Sequence, residues 1–110
     1  MTVKELIQKT GWTLHASEEA SNREVQGAFV GDLLSWVMGN GDVDQAWLTV
    51  QAHLNVVAVA VLREFSCVIL VHGVQPSDDM IEKTIEENLA IISTTESAYE
   101  ACKTLISLGV

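Results

Sequence analysis

The sequence has one proline, two cysteines, and six lysines and arginines against fifteen aspartates and glutamates. Each scarcity removes a class of protein. At a net charge of −9 the chain has no basic surface to neutralise phosphates, which argues against nucleic acid as a partner and equally against an anionic membrane surface. Cys67 and Cys102 form no CxxC pair, so neither a disulfide framework nor a zinc site is expected, and both read as buried free thiols. The longest apolar run, Val56–Leu62, falls far short of the ~20 residues that span a bilayer. Lys4, Glu5, Gln8 and Lys9 interrupt the first turns, as no secretory signal would. The expected location is therefore the cytoplasm. Chemical motifs are missing as well: there is no GxxxxGK[ST], GxGxxG or GxSxG, and no His, Cys and carboxylate cluster at metal-ligand spacing. The sequence asks for no cofactor and no metal.

What is present reads as one α/β domain over residues 1–110, because domains run to about 100–200 residues. Mean hydropathy is +0.25, an apolar excess that suggests a buried surface beyond the chain's own core and hence a homodimer. The central stretch is Ala46–Gly73. AWLTVQ reads as a strand, AHLNVVAVAVLREF as a crossover helix, and SCVILVHG as a second, parallel strand. Valine-rich Leu54–Leu62 has strand propensity, but a strand from Leu54 to Val71 would be too long, and a parallel pair needs a crossover. A helix apolar nearly all round must be covered on more than one side.

Around this unit, Thr2 and Glu5 form a capping-box pattern for a helix over Thr2–Thr10 that Gly11 stops. Trp12–His15 is extended and Ala16–Ser21 turn-like. Asn22–Val30 alternates as a strand in which Gly27 permits a bulge or close approach. Asp32 is expected to cap a helix from Leu33 to about Met38, ended by Gly39-Asn40-Gly41. Ser77 caps the next helix, Leu89–Ile92 is a third buried strand, and Ser93-Thr94-Thr95 leads into a last helix ending at Gly109. The second half is thus β-α-β-α-β-α, a mostly parallel sheet flanked by helices, with right-handed crossovers. Trp12, Trp36 and Trp47 read as core or dimer-interface residues.

Chemistry-bearing residues collect just after the three strands of the second half: His53, Asn55, His72, Gly73, Ser93, Thr94 and Thr95. In a parallel sheet those ends lie side by side, beside helix N-termini that can receive an anion. The group is a candidate small-molecule site. The plainer alternative is that Ser93–Thr95 caps the last helix and each histidine merely ends a strand.

Asn22-Arg23-Glu24-Val25-Gln26-Gly27, followed by Ala28–Leu34, resembles the motif of the DRTGG domain, and WLTVQAHLNVVAVAV and VILVHG resemble its stand-alone members. The similarity covers nearly the whole chain, with Asn22 standing where the motif has aspartate. The resemblance implies an α/β module of the kind found beside CBS domains in regulated pyrophosphatases and with phosphotransacetylase-like enzymes. Its fold is similar to the N-terminal domain of HPr kinase/phosphorylase, whose catalytic P-loop domain has no counterpart here. Stand-alone clostridial members are often encoded near iron-only hydrogenase and electron-transfer genes. Self-association is implied, and no catalytic residue carries over. Arg23 is expected to hold the loop before its strand by pairing with a carboxylate.

Together these features favour a non-catalytic regulatory or interaction module, homodimeric, binding a small anionic effector such as a nucleotide or phosphorylated metabolite, a protein partner, or both. One alternative is a small enzyme acting on a phosphorylated metabolite with His53 or His72 as acid/base. Another is a ligand-free accessory subunit of an oxidoreductase complex.

Overall fold

Thr2 and Glu5 close a capping box at the start of α1 (Val3–Thr10), and Gly11, at φ 71°, ends it. The same local logic starts α5 (Asp78–Glu86) at Ser77 and α6 (Ala98–Ser107) at Ser97, whose hydroxyls accept N–H groups from the first turns. The computed structural model describes residues 1–110. Between these helices lie β1 (Thr13–His15), α2 (Glu18–Ser21), β2 (Gly27–Val30), α3 (Leu34–Asn40), β3 (Gln45–Thr49), α4 (Leu54–Leu62), β4 (Cys67–Leu70) and β5 (Ala90–Ser93).

The strands form one five-stranded sheet in the order β1-β5-β4-β3-β2, parallel throughout except for β1, which runs antiparallel to β5. β4 and β5 are buried along their whole length, as an interior parallel strand covered on both faces must be. On one face α3, α4 and α5 pack through Val37, Val56, Val57 and Met80; on the other, α1, α2 and α6 pack through Val3, Leu6, Ala20, Ala101 and Leu105. The α/β class and the β-α-β-α-β-α second half are as the sequence indicates. The Val-rich stretch is indeed the crossover helix α4, because the two parallel strands it joins override its strand propensity.

Four expectations need correction. Ala16–Ser21 is not a turn: Ser17 caps the short helix α2. The strand does not begin at Asn22, because Val3 and Val25 exchange backbone hydrogen bonds with Arg23 and Met1, drawing this segment to the start of the chain until Gly27. Asp32 does not cap α3. Its carboxylate accepts instead from the Thr49 hydroxyl at 2.7 Å and the Val50 N–H at 2.9 Å, and Leu33 occupies the cap position without a side-chain bond. Gly27 makes no close approach, since a Cβ there would meet only the Gln45 side chain at 3.9 Å. Of the tryptophans, Trp12 and Trp47 are buried, but Trp36 is 61% exposed.

Candidate functional site

The connection after β4 leads to α5 on one face of the sheet, and the connection after β5 leads to α6 on the other. Where neighbouring parallel strands send their chains to opposite faces, a crevice opens beyond their carboxyl ends, the usual ligand position in open α/β sheets. A cleft of about 330 Å³ lies at this point. Ser93, Thr94, Thr95 and Glu96 line it from one connection and Gln75 from the other, and Thr10, Gly11, Trp12 and Thr13 close it from the end of α1 and the start of β1. The antiparallel pairing of Thr13 with Ser93 brings this last segment into place.

The interior of the cleft is set by a fixed carboxylate. Glu96 accepts the Trp12 indole N–H on Oε2 and the Thr104 hydroxyl on Oε1, both at 2.8 Å, so both of its oxygens are occupied. Thr94 is buried, and its Oγ1 accepts the Glu96 N–H at 3.1 Å. Ser93 is only 3% exposed, and its hydroxyl has no hydrogen-bond partner. A buried polar group left unmatched costs about 1–3 kcal/mol, and the Thr84 hydroxyl on α5 is another in this fold. No lysine, arginine or histidine lines the cleft.

Of the residues singled out in the sequence, the fold brings His72, Gly73, Ser93, Thr94 and Thr95 together at the two diverging connections. The Gly73 N–H donates to the Thr94 carbonyl at 3.0 Å and the His72 N–H to the Glu96 carbonyl at 2.8 Å, stitching the two loops. The His72 ring faces α6, its Nε2 accepting the Ala98 N–H at 3.2 Å. Both residues have positive φ, 59° for His72 and 76° for Gly73, which shapes the tight turn out of β4. His53 and Asn55 stand apart from the cleft at the start of α4, where His53 is the N-cap and its Nδ1 accepts the Asn55 N–H at 3.0 Å. Each histidine thus uses a ring nitrogen to hold a helix terminus. Ser93–Thr95 does not cap α6; Ser97 does, in a capping box with Glu100. That box holds the Glu100 carboxyl below the usual carboxylate range, chiefly through the Ser97 backbone N–H.

The motif residues lie elsewhere. Asn22 ends α2 and is exposed, Gly27 opens β2, and Arg23 donates to Asp44 and to the carbonyls of Glu64 and Phe65. Sequence reasoning missed Trp12, Gln75 and Glu96. Nothing local marks them, because they reach the cleft only through the β1–β5 pairing and the divergence of two loops.

No family model matches this sequence, and no curated protein does. Among solved structures, the fold is similar to the CBS and DRTGG domains of the regulatory region of Clostridium perfringens pyrophosphatase, a structure complexed with the activator diadenosine tetraphosphate. The TM-score is 0.77 at 14% identity, over 96% of this chain and 46% of that one. The chain thus spans under half the length of this structural relative, and at that identity the likeness is one of fold.

Proposed function

We propose that this chain is a non-catalytic regulatory module that acts as a homodimer and binds a small anionic effector of the nucleotide class in the crevice between the β4–α5 and β5–α6 connections. The carrying observation is the polar cleft itself, walled by Gln75 and Ser93–Glu96 beyond the carboxyl ends of β4 and β5, where such sheets bind ligands. The fold likeness to a regulatory region solved with a dinucleotide activator supports the effector class. Binding, rather than turnover, fits the arrangement: the one carboxylate in the cleft has both oxygens engaged, and the two histidines hold helix ends.

The dimer reading is supported by α3 and α4. These helices, LSWVMGN and LNVVAVAVL, contain no charged residue in a chain whose net charge is −9. Their outward side chains Trp36, Leu54, Val61 and Leu62 are exposed. A second copy carries the same negative charge, and the groove beside α4 is apolar apart from Lys83 and Glu87, which pair with each other at 3.3 Å, so two copies approach there with little repulsion.

A thermal-shift screen against nucleotides, phosphorylated metabolites and divalent metals tests the effector reading. A nucleotide at about 100 times its dissociation constant adds roughly 2.7 kcal/mol, a rise of about 10 °C for a domain of this size. A flat response across the nucleotides would overturn the effector reading in favour of a ligand-free protein-interaction role.

A further inference from the structure

The cleft has a chemistry that ordinary phosphate sites do not share. Phosphates are held by arginine, lysine, or rows of converging N–H groups that supply positive charge. Here no basic side chain lines the walls, and Glu96 places a carboxylate among them, within a chain of net charge −9. A phosphate buried at this point would face a like charge with no compensating cation. The cleft does offer exposed groups that both donate and accept, the Thr95 hydroxyl and the Gln75 amide. Vicinal sugar hydroxyls, which also donate and accept, are the natural complement of such a set. Trp12 adds an apolar wall whose indole is held in one orientation by its bond to Glu96.

We infer that the crevice recognises the sugar of its effector, with the exposed Thr95 hydroxyl and Gln75 amide bonded to ribose hydroxyls, while the phosphates remain outside in solvent. This rests on the reading of the chain as a nucleotide-binding module. It specifies which part of the nucleotide the chain reads. A volume of about 330 Å³ is enough for a nucleoside.

The test is calorimetric titration of the full chain with three probes: adenosine, ATP and inorganic tripolyphosphate. Expected are adenosine and ATP binding within about fivefold of one another and no binding of tripolyphosphate. Thr95→Ala is expected to weaken both nucleoside probes roughly five- to tenfold, the effect of one neutral hydrogen bond. Because Thr95 is exposed, the variant should fold with an unchanged melting temperature. Gln75→Ala, at an exposed position on the rim, provides a second variant that does not disturb the core. ATP and tripolyphosphate binding without adenosine would overturn the sugar assignment and leave the anionic-effector reading standing. Adenosine binding unaffected by both substitutions would overturn the site. No binding of any probe would overturn the nucleotide reading and this inference with it.

Discussion

The Arg23 guanidinium lies 2.9 Å from the Asp44 carboxylate, and the same fork donates to the backbone carbonyls of Phe65 and Glu64, at 2.9 and 3.0 Å. One side chain thus ties the segment before β2 to the loops that precede β3 and β4. It lies at the amino ends of the parallel strands, opposite the cleft, so its role is to close the fold and not to contact a ligand. Both partners are about one-third exposed, 33% and 32%, which discounts the ion pair itself; the carbonyl bonds and the fork geometry carry the larger share.

Arg23→Ala is therefore expected to lower stability by about 2 kcal/mol in urea unfolding, the scale of lost hydrogen bonds to a charged group. Arg23→Lys should recover less than half of that, because an ammonium cannot reach three acceptors in a planar fork. A loss below about 0.5 kcal/mol for the alanine variant, the level of an ordinary surface change, would show that the clamp contributes little.

Cys67 gives the chain an alkaline limit. Burial pushes its thiol up to about 12 from an ordinary 9.0, with the nearby Arg23 charge opposing weakly. The folded state holds this proton more tightly than the unfolded one. The contribution is therefore fully present below pH 9 and is lost as pH rises toward 12. Stability should fall above pH 9 by up to about 1.4 kcal/mol per pH unit from this group, and Cys67→Ala should remove that part of the slope. Identical alkaline slopes in the two proteins would contradict the assignment.

Self-association through the uncharged face predicts a particle of twice the 12.0 kDa chain mass in light scattering at micromolar concentration. Leu62 is 64% exposed on α4, so Leu62→Glu should leave the fold intact and yield a 12.0 kDa species. A wild-type chain that is already 12.0 kDa under these conditions would contradict the dimer.

Much of this architecture is legible in the sequence, because its signals are local. The Thr2/Glu5 box, the Ser77 cap and the bounded apolar strands report on residues a few positions apart. Apart from the short helix that Ser17 starts, the errors fall where a long-range partner displaces a local one. Asp32 has the side chain of a cap, but the Thr49 hydroxyl and the Val50 N–H take its carboxylate. Asn22–Gln26 alternates like a strand, but Arg23–Val25 pairs with the first residues of the chain. The candidate site divides in the same way. Ser93–Thr95 follow from strand-end logic, whereas Trp12 and Glu96 reach the cleft through a pairing between opposite ends of the sequence.

Residue-resolved amide chemical shifts during titration of the labelled chain with ATP show whether a nucleotide enters the crevice between the β4–α5 and β5–α6 connections. Saturable changes are expected at Gly11–Thr13, Gln75 and Ser93–Glu96, the walls of the cleft. Changes centred instead on His53 and Asn55, or on the exposed side chains of α3 and α4, would place the ligand elsewhere. No change at concentrations up to several millimolar would contradict nucleotide binding altogether.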